Sequence, residues 1–103
     1  MKIEFLQPAA AELYEAIVYY NIQRQDLGLE FAKEVQDTIE RIKQNPEAWT
    51  TISTPKQARR CLTNRFPYGI IYQIRKNTIL IVAVVHLKRR PQTWQSRLRK
   101  NSQ

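Results

Sequence analysis

A chain of 103 residues with 43% hydrophobic and 10% aromatic side chains has the make-up of one folded domain spanning 1–103, and its two glycines and five prolines exclude a low-complexity linker. One cysteine excludes an intramolecular disulfide, and a single histidine offers no pair of imidazoles for a metal. Seventeen bases against nine acids give a formal net charge of +8, which calls for a polyanionic partner.

Residues 2–6 alternate polar and apolar, the period of a half-buried strand. From 8 to about 25 the period lengthens. Ala9, Leu13, Ala16, Ile17 and Tyr20 recur every three or four residues along one face of a helix, and Pro8 suits its first turn. Asp26 is placed to cap a second helix running to about 45, where Asn45-Pro46 stops it. The inward stripe there is Leu27 or Gly28, Phe31, Val35, Thr38, Ile39 and Ile42. The outer face carries Glu30, Lys33, Glu34, Asp37, Glu40, Arg41 and Lys43, with Glu30–Lys33 and Asp37–Arg41 at favourable spacing. A link of about two residues near Asp26 implies an antiparallel helix hairpin.

Residues 47–58 read as a loop rich in Thr, Ser and Pro, with Trp49 as a plug into the core. Strands follow at 60–65, 68–75 and 78–87, and Lys76-Asn77 makes the turn between the last two, Asn77 tolerating a left-handed backbone. In the last strand Ile79, Ile81, Ala83 and Val85 share one face, and Leu80, Val82, Val84 and His86 the other. Apolar residues on both faces imply a covered sheet centre. Residues 92–100 suggest a short basic helix. The order is α+β: β-α-α-β-β-β, a helix hairpin packed on a small antiparallel sheet.

The charges are sharply divided. All nine acids lie at or before Glu47, and from Ala48 onward the chain has twelve bases and no carboxylate side chain. Such a half-chain cannot neutralise itself locally, and it attracts nucleic acid or an acidic protein segment. No Gly-rich phosphate loop and no CxxC is present, and the basic half lacks acids for a two-metal nuclease. Any nuclease chemistry is therefore metal-independent, resting on arginines and lysines for phosphate charge and on His86 or an activated ribose hydroxyl for proton transfer. His86 lies where the last strand meets Lys88-Arg89-Arg90, and those cations favour its neutral form. The alternative is a histidine that only closes a strand end. Arg59, Arg60 and Arg65 alternate so that Arg60 faces away from the other two; with Lys88, Arg89 and Arg90 they suggest a basic groove for nucleic acid or another target. Trp94, Tyr68 and Tyr72 either stack on bases there or belong to the core.

The chain resembles the RelE/ParE toxin superfamily over nearly its whole length. The resemblance rests on Ile3-Glu4-Phe5 before a helix hairpin, on Asn45-Pro46, and on Arg59-Arg60-Cys61-Leu62. It continues through Phe66-Pro67-Tyr68-Gly69-Ile70-Ile71-Tyr72 and through residues 82–91 with Trp94. It implies a microbial-RNase-like fold, no cofactor, and a cognate acidic antitoxin that silences the toxin in a hetero-oligomer. RelE-like members cleave mRNA on the ribosome with a basic cluster plus a tyrosine or histidine; ParE-like members inhibit DNA gyrase. Arg60 resembles the early-strand arginine of the nuclease branch, and Arg89 or Arg90 the later one. Trp94 stands where that branch has its C-terminal tyrosine, and no acid follows Glu47. His86-x-x-Arg89 is more similar to the ParE branch. The expectation is a growth-inhibiting, plasmid-stabilisation type toxin of ParE character, with an mRNA interferase or a harmless nucleic-acid-binding module as alternatives. The opening residues lack the apolar run of a signal peptide, and no run is long enough to span a membrane, so a cytoplasmic protein is expected.

Overall fold

The computed structural model of the chain describes residues 1–54, 56–89 and 92–98. Strand β1 (Lys2–Phe5) leads into helix α1 (Gln7–Gln23), which turns back through α2 (Leu27–Gln44). Strands β2 (Thr50–Ser53), β3 (Ala58–Leu62), β4 (Tyr68–Arg75) and β5 (Thr78–His86) follow, and a 3-10 helix (Gln92–Arg97) comes last. The sheet has five strands in the order β1-β5-β4-β3-β2. It is mixed, because β1 runs parallel to β5 while the other pairs are antiparallel. The expected antiparallel sheet is thus corrected: the helix hairpin carries the chain to β2 at the far edge, and the antiparallel run β2 to β5 brings it back to lie parallel beside β1. The expected loop at 47–58 also contains a strand, β2, which pairs with β3 at the sheet edge.

The inward stripe of α2 falls as the spacing predicts, with Gly28, Phe31, Val35, Thr38, Ile39 and Ile42 all buried. They meet Tyr68, Ile70 and Tyr72 of β4 and Ile79, Ile81 and Val84 of β5 in the main core. Tyr20, Phe31, Phe66 and Tyr68 form a tilted and edge-on aromatic group with ring centroids 4.8–6.2 Å apart. Each large apolar side chain buried here stabilises the fold by about 1.5–3 kcal/mol. Tyr72 donates its phenol to the Pro46 carbonyl, and burial pushes its pKa up to about 12. The opposite sheet face has a second, smaller cluster of Ala58, Ile71, Leu80, Val82 and Ala83 under Trp94 and Leu98.

Several local expectations change. Asp26 occupies the cap position but has φ 67° and makes no side-chain cap; Asn21 of α1 accepts the Gly28 amide at 2.8 Å instead. Left-handed backbone in the β4–β5 turn falls on Lys76, φ 54°, and not on Asn77. Among the described residues the helix charges do not pair as the spacing suggests. Glu30 takes Arg24 and Arg65, and Arg41 turns inward to Thr38 Oγ1, the Leu62 carbonyl and Asn64.

The most consequential change is a bulge in β5. Tyr72 faces Ile81, but Ile71 faces Ala83, so Val82 has no partner. Val82 and Ala83 therefore both join the second cluster, while Val84 joins Ile79 and Ile81 in the main core. An extra residue in one strand exchanges the faces of everything beyond it. His86 is thereby carried to the helix side, away from the face shared by Leu80 and Val82 that strict alternation assigns to it.

Candidate target-binding site

The helix-side end of β5 opens into a hollow of about 280 Å³ lined by Glu12, Glu15, Ala16, Tyr19, Tyr68, Val84, Val85, His86 and Arg89. Helix α1 forms one wall and the ends of β4 and β5 the other. Tyr68 stands directly across the ladder from His86, and the two rings meet edge-on with centroids 5.1 Å apart. Arg89 follows in the turn that the Arg89 amide closes on the His86 carbonyl, 3.2 Å away.

The chemistry of His86 is set by a local contact. Its Nδ1 accepts the Lys88 amide at 3.1 Å, which places the proton of the neutral ring on Nε2. Burial, then the charges of Arg89 and Lys88, lower its pKa below the ordinary histidine value. At neutral pH the ring is therefore an uncharged donor beside a guanidinium. Burial raises the Tyr68 phenol, with Arg89 opposing the shift, so that hydroxyl also remains protonated. The corner presents donors from three kinds of side chain.

A profile of the ParE toxin of the type II parDE toxin–antitoxin system matches residues 3–91. The chain belongs to the ParE toxin family. It is thus a type II toxin of ParE character, and the family comes with a cognate antitoxin. Its fold is similar to a solved chain of the chromosomal ParDE system of P. aeruginosa, with TM-score 0.75 and 18% identity, covering 85% of this chain and 97% of that one. No sequence match appears among curated proteins. Among the described residues, no helix of this ParE-family chain is long and apolar enough to cross a membrane.

Not all the cations singled out in the sequence converge on that corner. His86, Lys88 and Arg89 do; Arg90 lies outside the described residues. Arg59 donates to the Glu47 and Trp49 carbonyls at 2.8 and 2.9 Å and so fastens the loop before β2. Arg65 bonds Glu30 at 2.8 Å, and its own amide bonds Glu34, so it ties the β3–β4 loop to α2. That hydrogen bond lowers the Glu30 pKa and raises that of Arg65. Arg60 pairs across from Ile71 and lines a separate hollow of about 170 Å³ on the other face, with Ile52, Trp94 and Gln95. His86 borders that hollow too, yet among the described residues no hydrogen bond joins Arg60 to His86. The single groove expected from Arg59, Arg60, Arg65, Lys88 and Arg89 is therefore split. Trp94 is 7% exposed and packs on Ile71, Leu80 and Val82, as an anchor does. Tyr72 is fully buried, which removes it from any stacking surface.

Two contributors to the hollow were missed in the sequence. Glu12 and Glu15 carry no role in the sequence pattern. In the fold Glu12 turns toward the sheet and accepts the Val84 amide at 3.0 Å, and Glu15 lines the hollow. The available signal was their spacing from Ala9 and Ala16, which puts both on the flank of the buried stripe.

Proposed function

We propose that the His86–Arg89 corner is the surface with which this ParE-family toxin grips its target, and that the target is DNA gyrase in the cytoplasm. The observation that carries this reading is the hydrogen bond from the Lys88 amide to His86 Nδ1. With Nδ1 engaged by the Lys88 amide, the proton of the neutral ring sits on Nε2, which donates. Next to Arg89 and the exposed Lys88, a donating His86 suits recognition of carboxylates or carbonyls on a protein better than hydrolysis. The same corner suits an acidic antitoxin segment, which silences the toxin by covering it. The ParE profile over residues 3–91 supports the same choice.

One observation favours the ribonuclease alternative. The carboxylate of Glu15 shares the hollow with His86 and Arg89 and supplies the base that the histidine does not. A paired assay separates the two. The purified chain is added to a gyrase supercoiling reaction, and transcripts are mapped after induced expression. Inhibited supercoiling with intact transcripts is expected, weakened by Arg89→Ala and by His86→Ala and unaffected by Glu15→Gln. Cleaved transcripts with gyrase untouched, and protection by Glu15→Gln, sink the gyrase reading in favour of the enzyme.

A further inference from the structure

The sheet loses a strand half-way along β5. The Leu6 amide bonds the Ile81 carbonyl at 2.9 Å, and β1 pairs no further. The bulge at Val82 follows at once. A bulge leaves ladder groups without partners, and among the described residues no neighbouring strand replaces them. Two side chains from outside the sheet take over. Glu12 of α1 accepts the Val84 amide through Oε1 at 3.0 Å, and Arg97 of the 3-10 helix donates through Nη1 to the Val82 carbonyl at 3.1 Å. The two side chains also meet each other in a two-point contact, Nη1–Oε1 at 3.0 Å and Nη2–Oε2 at 2.9 Å. Their side chains are only 26% and 18% exposed, so the pair is shielded from solvent.

We infer that Glu12 and Arg97 are positioning residues: they clamp the Val82 bulge and thereby hold His86 and Arg89 on the helix side of the sheet. This rests on the reading of that corner as the target contact. If the ladder ran on unbroken from the pairing of Tyr72 with Ile81, Tyr68 would face Val85, and His86 would turn to the other face, toward Arg60 and Trp94. Val82-Ala83-Val84-Val85 is small and apolar throughout, so burial alone discriminates weakly between the two registers. The bulged register is the one in which the Val84 amide and the Val82 carbonyl find the carboxylate and the guanidinium.

The test follows the His86–Tyr68 ring contact by proton–proton cross-peaks in NMR of the full chain, alongside growth on induction. Arg97→Ala is expected to lose those cross-peaks, to gain contacts from His86 to Gly69 on the other face, and to lose growth arrest. Arg97→Lys keeps a donor and should retain both. Deleting Val82 removes the extra residue and leaves His86 opposite Tyr68 without a bulge, so in that background Arg97→Ala should leave the contact intact. A folded Arg97→Ala chain that keeps the His86–Tyr68 contact overturns the inference. So does a deletion background that loses it equally. If Arg97→Ala alone does not fold, folding of the double variant supports the clamp, and failure of both overturns it. Contacts that behave as expected while His86→Ala stays fully toxic leave the clamp standing and remove the target reading.

Discussion

The two faces of the sheet are covered by very different amounts of protein. On one, a helix hairpin lays Phe31, Val35, Ile39 and Ile42 over β4 and β5; on the other, Trp94 and Leu98 of one short segment cover Ile71, Leu80, Val82 and Ala83. Both faces bury apolar side chains, yet they differ in how a loss is absorbed. Behind the hairpin a missing side chain leaves a cavity, because α2 is pinned at many points. Beneath the C-terminal segment the cover itself can lift. The thick face gives rigidity to the wall that carries Tyr68 and His86. The thin face contributes Arg97, which reaches round the open edge of β5 to Glu12.

Phe31→Ala tests the thick face and should have the largest effect. Phe31 is fully buried against Tyr20, Phe66 and Tyr68, and truncation should cost about 3–5 kcal/mol in denaturant unfolding. Trp94→Ala tests the thin one. Its cost is capped by the free energy of docking the segment, about 2 kcal/mol, with little change in the m-value. Equal losses from the two would mean that the faces form one cooperative core.

Gly28→Ala probes the hairpin crossing. An added Cβ would lie 2.2 Å from the Ile17 carbonyl oxygen and 2.7 Å from Asn21, and backbone cannot step aside. A loss of about 1–3 kcal/mol is expected, together with looser packing of α1 on α2. A neutral result would show that the helices can part without cost, and the rigid wall behind the hollow would be lost with it.

The smallest effect concerns pH. The folded-state pKa of His86 lies below the ordinary value of 6.5, so protonation is opposed in the fold and allowed in the unfolded chain. Stability should therefore be full above pH 6.5 and decline as pH falls from there through the folded pKa. His86→Ala should remove that part of the slope. A slope unchanged by the substitution would place the pH dependence elsewhere.

Legibility followed the strength of the local pattern. Helix α2 alternates charged and apolar residues at 3.6 spacing, and its buried stripe was correct to the residue. Helix α1 was legible as a helix, yet Tyr14, Val18, Tyr19 and Ile22 remain exposed on it, so its apolar residues do not mark one side alone. Strand β2 was missed because Thr50-Thr51-Ile52-Ser53 has one apolar residue and lies at an edge, where burial writes no alternation. The bulge was missed for the opposite reason: a run apolar on both faces has no alternation to interrupt.

The candidate site shows the same division. His86, Lys88 and Arg89 were legible because they are consecutive with the strand end, and the chain alone brings them together. Arg59 and Arg65 looked equivalent to them, but the fold gives one to backbone carbonyls and the other to Glu30. Glu12 and Arg97 stand 85 positions apart, and no local rule joins them.

By itself the sequence determined the α+β order, the buried stripe of α2, the family and the position of the basic strand end. Each of these depends on residues near one another in the chain, where period, turn chemistry and charge act directly. The parallel pairing of β1 with β5, the face that His86 occupies and the fate of each arginine were decided only by tertiary structure. Those depend on which distant groups satisfy a hydrogen bond or a charge, and only the assembled sheet and helices bring such groups within reach.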